Sequence, residues 1–190
     1  MSGNSDLSGR MKRIIDLPRH KNSTTTKLLC RIASILDDKD RVVLPWFVRS
    51  CTPMYRELEA ELSLEKHDRR IRDSLRQLKR QRFIEIRKIG GQMEIFLTEK
   101  GEALDLIETV RRRPVCEGSP TLLVSFDIPE QERTKRNLFT RQLKYAGFKR
   151  VHASLWSIQK DVSGELVDLV RLLGAKKWIH VYTAQKIAPK

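Results

Sequence analysis

The feature that most constrains this chain is a change of hydrophobic period near residue 82. Before it, Ile71, Leu75 and Leu78 recur as one face of a helix. After it, Ile84 and Ile86 alternate with Glu85 and Arg87, and Met93, Ile95 and Leu97 alternate with Glu94 and Phe96. A two-residue period places alternate side chains on opposite faces of a strand. Between the two alternating runs lies Ile89-Gly90-Gly91-Gln92, and paired glycines supply the positive backbone angles of a two-residue hairpin loop. A helix feeding straight into a hairpin excludes an all-helical bundle. A further helix begins near Thr98, in LTEKGEALDLIETV.

The elements upstream complete a pattern. Residues 24–37 read as an amphipathic helix on Leu28, Ile32 and Ile35, with Ser23 or Thr24 to cap its first amides. The run VVLPWFV is too short to span anything and reads as core packing around Trp46 and Phe47. Thr52-Pro53 opens a second helix, since proline in the first turn gives up an N–H that has no helical partner. Tyr55, Leu58 and Leu62 share its face, and Ser63 breaks and recaps the chain before a third helix runs to about Gln81. Helix, helix-turn-helix, hairpin, helix predicts a winged helix-turn-helix over 23–110. Residues 1–22 are polar and basic without periodicity and are expected to form a flexible basic leader. RRRPVCEGSP, residues 111–120, has the proline, glycine and charge of a linker.

Residues 121–190 predict a second unit. LLVSFD is a strand with Leu122, Val124 and Phe126 on one side. Pro129 precedes a helix with Phe139, Leu143 and Ala146 as its apolar stripe and Gly147 at its stop. KRVHASLWSIQK is β-rich, long enough for a short hairpin or one bent strand. GELVDLVRLLG is helical on Leu166, Leu169, Val170 and Leu173, and KWIHVYT is a last strand. This order is the split βαβ, ferredoxin-like plan, which makes the whole chain α+β.

Charge points to the partner. Lysines and arginines number 38 against 24 acids, a formal +14, so a polyanion is expected. No apolar stretch approaches the ~20 residues of a membrane span, which favours nucleic acid over a lipid surface. Between Lys66 and Lys88 ten basic residues face three acids, +7, which is half of that net charge. With Ile71, Leu75 and Leu78 inward, Lys66, Arg69 and Asp73 fall on the outward side of the third helix, flanked by Arg70, Arg72 and Arg76. Arginine on the second helix of a helix-turn-helix suits major-groove entry, where it bonds guanine bidentately. Arg69, Arg70 and Asp73 are the candidates for base edges; Lys66, Arg72, Arg76, Lys79, Arg80, Arg87 and Lys88 are candidates to flank them or hold phosphates. A solvated basic face that aids only solubility is the alternative.

Other residue classes set bounds. Cys30, Cys51 and Cys116 are odd in number and widely spaced, and the four histidines form no metal-binding pair. That pattern, with a polar N-terminus, leads us to expect a cytoplasmic, nucleoid-associated protein without cofactor. In the last strand Trp178, His180 and Tyr182 fall on the face away from Ile179, Val181 and Thr183. With Leu123 they would leave an apolar sheet face open, which usually meets a partner. A homodimer is the expected partner. A stacking platform for single-stranded nucleic acid is the alternative, but no RNP-like run is present. Asp127 closes the first strand of this unit and reads either as a turn residue or as a divalent-metal ligand shared across a dimer.

The segment LLVSFDIPEQERTKRNLFTRQLKYAGFKRVHASLWSIQK resembles the CRISPR-associated Cas-two family, in its Phe126-Asp127, Gly147-Phe148 and Ser154-Leu155-Trp156. The same unit, preceded by a winged helix, resembles the phenylacetic-acid-degradation repressor family, PaaX. That resemblance implies a dimeric transcriptional repressor on a palindromic operator. It implies, as the alternative, a nuclease using Asp127 with Mg²⁺ or Mn²⁺. PaaX-type repressors carry a further C-terminal domain and this sequence ends at Lys190, so no small-molecule effector is expected.

Overall fold

The computed structural model describes residues 11–14, 16–17, 24–38, 42–44, 68–89, 92–115 and 118–185. They fall into two compact units, Pro18–Asp105 in one and Met1–Leu17 with Leu106–Lys190 in the other. The fold is α+β with two antiparallel sheets. No helix among the described residues is long and apolar enough to cross a membrane.

The first unit begins with α1 (Thr24–Asp38) and β1 (Val42–Leu44), and continues with α2 (Asp68–Arg80), β2 (Ile84–Ile89) and β3 (Gln92–Leu97). The helix α3 (Glu99–Arg112) starts here. Leu28, Leu29, Ile32 and Ala33 of α1 are buried with Leu78 of α2, Phe83, Ile84 and Ile95. On α2 the described buried positions are Ser74 and Leu78, one turn apart, while Leu75, expected inward, is half-buried. The Thr25 hydroxyl meets Gln77 Oε1 at 3.0 Å and joins α1 to α2. The hairpin register pairs Ile86 with Ile95 and Ile89 with Gln92, leaving two residues between the strands, as paired glycines demand. The second helix expected after Thr52, with Trp46 and Phe47, lies outside the described residues.

One expectation for this sheet needs correction. Val42–Leu44 is a strand on the far side of β3, giving the order β1-β3-β2. A three-residue apolar run is too short for periodicity to reveal this. Glu94 of β3, which alternates with the apolar residues of that strand, is buried.

Thr98 seats α3. Its Oγ accepts the N–H of Gly101 at 3.1 Å, and the hydroxyl lies 2.7 Å from the Arg82 carbonyl oxygen. This is a helix N-cap that also ties α3 to the end of α2. Gly101 is required by close approach: a Cβ there would stand 2.2 Å from the Phe83 carbonyl oxygen.

The second unit contains β4 (Thr121–Phe126), a 3-10 turn (Glu130–Glu132), α4 (Arg133–Ala146), β5 (Lys149–Arg150), β6 (Leu155–Gln159), α5 (Ser163–Leu172) and β7 (Ile179–Ala184). The sheet order is β5-β6-β4-β7, all antiparallel, which is the split βαβ arrangement. Leu122, Val124 and Phe126 are buried with Trp156 and Ile158 of β6, Phe139, Leu143 and Ala146 of α4, and Leu166, Leu169 and Val170 of α5. Phe126 and Phe139 pack edge to face at 5.4 Å. Gly147 stops α4 in the left-handed region, φ 99°, and passes the Phe148 N–H back to the Leu143 carbonyl at 3.0 Å. KRVHASLWSIQK forms two strands, β5 and β6, rather than one bent one.

The expected leader and linker are both revised. Residues 11–14 are helical, and Met11, Ile14 and Leu17 are buried. Arg141 of α4 donates to Asp16 Oδ1 at 3.2 Å and to the Leu17 carbonyl at 3.3 Å. Three apolar residues at positions 11, 14 and 17 were too few to show as an amphipathic stripe in a polar segment. The boundary between units falls inside α3, after Asp105, ahead of the expected linker at 111–120. Residues 106–112 of α3 belong to the second unit and are fixed there by polar contacts.

Glu108 is the centre of those contacts. It is fully buried, accepts a hydrogen bond from the Tyr145 hydroxyl, and lies 3.6 and 3.4 Å from Nε of Arg111 and Arg112. The Arg111 guanidinium also covers the Tyr145 ring at 5.1 Å. Lys160 donates to the carbonyls of Val110 and Arg111 at 3.0 and 2.9 Å, satisfying the end of α3, and Arg113 pairs with Glu165. Burial, the bond to Glu108 and that carboxylate's charge push the Tyr145 phenol up to about 12.

Two outcomes follow. Gly101→Ala forces the Phe83 carbonyl aside and should destabilise by about 1–3 kcal/mol, read as a lower denaturant midpoint at unchanged m-value. In an alkaline titration followed by phenolate absorbance, one of the three tyrosines should ionise near 12, and Tyr145→Phe should remove that late step. Because the folded state holds this proton more tightly, the associated stability is complete below about pH 10 and declines as the pH rises toward 12.

Candidate nucleic-acid interface

The expected DNA-contacting residues distribute over α2 and the β2–β3 hairpin. Lys66 lies outside the described residues. Helix α2 carries Arg69, Arg70 and Arg72, and strand β2 carries Lys88, but their side chains also lie outside the description. Of the others, Asp73, Arg76, Lys79, Arg80 and Arg87 are all exposed. Arg76 pairs with Asp73 at 3.3 Å, one turn apart, so this aspartate steers a neighbouring cation. Lys79 and Arg80 end the helix, where its dipole favours positive charge. On the hairpin, Arg87 bonds Glu85 at 2.6 Å and lies over the Phe96 ring at 4.9 Å, which fixes the guanidinium on the strand surface.

Sequence reasoning missed one residue of this surface. Arg82, in the turn from α2 to β2, has φ 59° and an exposed side chain. The Arg82 N–H bonds the Lys79 carbonyl at 3.0 Å and the Phe83 N–H bonds the Leu78 carbonyl at 2.9 Å, so Arg82 holds the left-handed helix-stop position that glycine usually takes. A side chain there costs about 1–2 kcal/mol. A strained arginine between Arg80 and Arg87 suggests that its charge has a use. The only signal available was its place between helical and alternating periods.

The second unit offers a different surface. Asp127 follows β4, is exposed, and has its backbone N–H bonded to the Trp178 carbonyl at 2.8 Å. It lies on a cleft with Arg136 and Asn137 of α4 and Arg150 of β5. The strand ending in Phe-Asp and the strand at Leu155-Trp156 therefore pair in one antiparallel sheet, and the helix stopped by Gly147-Phe148 lies between them in sequence, in split βαβ order. Residues 122–190 match the family described as the PaaX protein central Cas2-like domain. The C-terminal region of this chain is thus similar to the PaaX-type Cas2-like domain. No curated protein matches the chain.

Two expectations for the Cas2-like domain can be placed. The carboxylates nearest Asp127 in sequence are engaged elsewhere, Glu130 with Arg133 and Arg136 and Glu132 with Lys135. Among the described residues no group of three or more histidines, cysteines or carboxylates is arranged to hold a metal ion. On the open sheet face, Leu123 pairs across the ladder with Tyr182, and Ser125 with His180. Tyr182 is 52% exposed and His180 is exposed, while Leu123 is half-buried. Trp178 precedes the strand, is half-buried and carries Lys177 over its ring at 4.4 Å. On the other side Leu123 pairs with Ser157 and Ser125 with Leu155.

Substituting Arg82→Gly should relieve the left-handed strain and stabilise the first unit by about 0.5–1 kcal/mol, after allowing for the extra freedom of glycine in the unfolded chain. A higher thermal midpoint than the parent checks this; a lower one means that the arginine side chain contributes contacts of its own.

Proposed function

We propose that this protein is a sequence-specific double-stranded DNA-binding transcriptional regulator, a homodimeric repressor acting in the cytoplasm at the nucleoid. In this reading Pro18–Asp105 is a winged helix-turn-helix, α2 is its recognition helix and the β2–β3 hairpin its wing. The observation that carries the reading is the run of exposed cations from Arg76 through Lys79, Arg80 and Arg82 to Arg87, on a helix whose opposite side is buried at Ser74 and Leu78. Cations that continue from a helix onto an adjoining hairpin follow a groove and the phosphates beside it. The PaaX-type domain adds support, since that family is generally one of transcriptional regulators.

The assigned roles follow the chemistry of each group. Arg69, Arg70 and Asp73 are the residues for entry into the major groove, where arginine meets guanine, with Arg72 flanking them and Lys66 on a phosphate. Asp73 orients Arg76. Lys79, Arg80, Arg82, Arg87 and Lys88 hold phosphates, which set the register without reading sequence. The Cas2-like domain supplies the two-fold contact through Leu123, His180 and Tyr182, with Trp178 at its margin. Two recognition helices would then read half-sites ~10 bp apart or a multiple of that. Residues reading bases and residues holding phosphates are separable by experiment.

Selection from random DNA should enrich a two-fold motif, and anisotropy against that duplex should weaken steeply with salt. Replacing Lys79, Arg80 and Arg82 together by alanine should lower the log–log salt slope by about 2.7, at about 0.9 per phosphate contact, with the motif unchanged. An unaltered slope and affinity in that variant would refute the assignment of α2 and its turn to DNA.

A further inference from the structure

The Cas2-like domain contains a cleft of about 510 Å³ bounded by α4 and by the ends of β4, β5 and β6. Its apolar lining is Phe126, Ile128 and Trp156, all buried. Its polar lining is Arg136, Asn137, Thr140, Arg150, Ser154 and Asp127. Arg136, Asn137 and Thr140 lie within little more than one turn of α4, and Arg150 pairs directly across the ladder with Trp156. These side chains come from four segments, so tertiary packing builds the cleft.

Its donors are under-used. Trp156 is 2% exposed, yet its Nε1 is buried without a hydrogen-bond acceptor. A buried N–H left in this state costs about 1–3 kcal/mol, and such groups are rare unless something else satisfies them. Arg150 uses only Nε, which donates to the His152 carbonyl at 3.2 Å. Its terminal amino groups have no acceptor among the described residues. Arg136 gives one amino group to Glu130 at 2.6 Å and is half-buried. Asp127 brings the opposite requirement: a bare anion beside it would be repelled, whereas a ligand hydroxyl could donate to it.

We propose that this cleft binds a small organic hydroxy acid. Its carboxylate sits between Arg136 and Arg150, its apolar body lies against Phe126 and Trp156, and its hydroxyl donates to Asp127. An oxygen of the ligand accepts the Trp156 N–H. A cleft of this volume with an apolar floor and few convergent polar groups is typical of small-molecule sites. The site lies wholly within the C-terminal unit and does not depend on the DNA-binding reading.

Isothermal titration calorimetry of the full chain tests it with three probes. These are 4-hydroxybenzoate, hexanoate, which lacks the hydroxyl, and inorganic phosphate, which lacks the apolar body. We expect 4-hydroxybenzoate to bind at or below about 1 mM and the other two at least about tenfold more weakly. Arg150→Ala should weaken 4-hydroxybenzoate about tenfold, and Trp156→Phe, which keeps a ring but removes the donor, by several-fold. Asp127→Asn should narrow the gap between 4-hydroxybenzoate and hexanoate. Should Trp156→Phe fail to fold, the exposed position of Arg150 keeps that variant decisive. Absence of binding up to about 10 mM overturns the proposal, as does full affinity in Arg150→Ala. Phosphate binding as tightly as 4-hydroxybenzoate overturns it too, because the cleft would then take an adventitious ion only.

Discussion

A carboxylate cut off from water, Glu108, organises the C-terminal part of this molecule. Unpaired, it would be costly; here Tyr145 donates to one oxygen while Arg111 and Arg112 stand near the other. Those partners come from its own helix and from α4, so satisfying the charge also fixes the end of α3 against the sheet domain. Lys160 completes the attachment by capping the last carbonyls of the helix. At its other end α3 is held by Thr98 and by the space that Gly101 leaves for the Phe83 carbonyl. One continuous helix therefore carries residues of both compact units, with the boundary after Asp105.

The elements legible in the sequence were those whose periodicity is sustained. The change of period near residue 82 placed α2, the hairpin and its two-residue loop, and the stripes of α4 and α5 named their buried residues. The split βαβ order was readable because each strand and helix carried its own signal, and the family match over 122–190 agrees with it. Features that depend on what lies beside an element were not readable. Val42–Leu44 became a strand because β3 offered a free edge, and the burial of Glu94 likewise depends on its surroundings. Met11, Ile14 and Leu17 looked like part of a solvated tail because their burial depends on a helix more than a hundred positions away in the sequence.

The basic surface shows the same division between composition and geometry. Counting charges located the cluster from Lys66 to Lys88, but a count ranks every cation equally. The structure separates them. Arg76 and Arg87 are held by carboxylates, Lys79 and Arg80 end a helix, and Arg82 occupies a left-handed turn position. Asp73, a candidate for base contact, also pairs with Arg76. The cleft beside Asp127 could not have been anticipated either, since an unsatisfied indole N–H is a property of packing and leaves no trace in a sequence.

The burial of residues 11–17 has a consequence for how the chain comes to be folded. Asp16 meets Arg141, 125 positions later. During synthesis the N-terminal segment leaves the ribosome first, yet its binding surface is among the last parts made. The intervening unit, Pro18–Asp105, has its own core and is synthesised before α4, so it can form while the first helical turn still waits. Joining ends so far apart costs little more than joining nearer ones, because loop entropy grows only with the logarithm of length. The delay is therefore one of time rather than of stability. Until α4 is complete, Met11, Ile14 and Leu17 lack the surface that buries them in the folded protein.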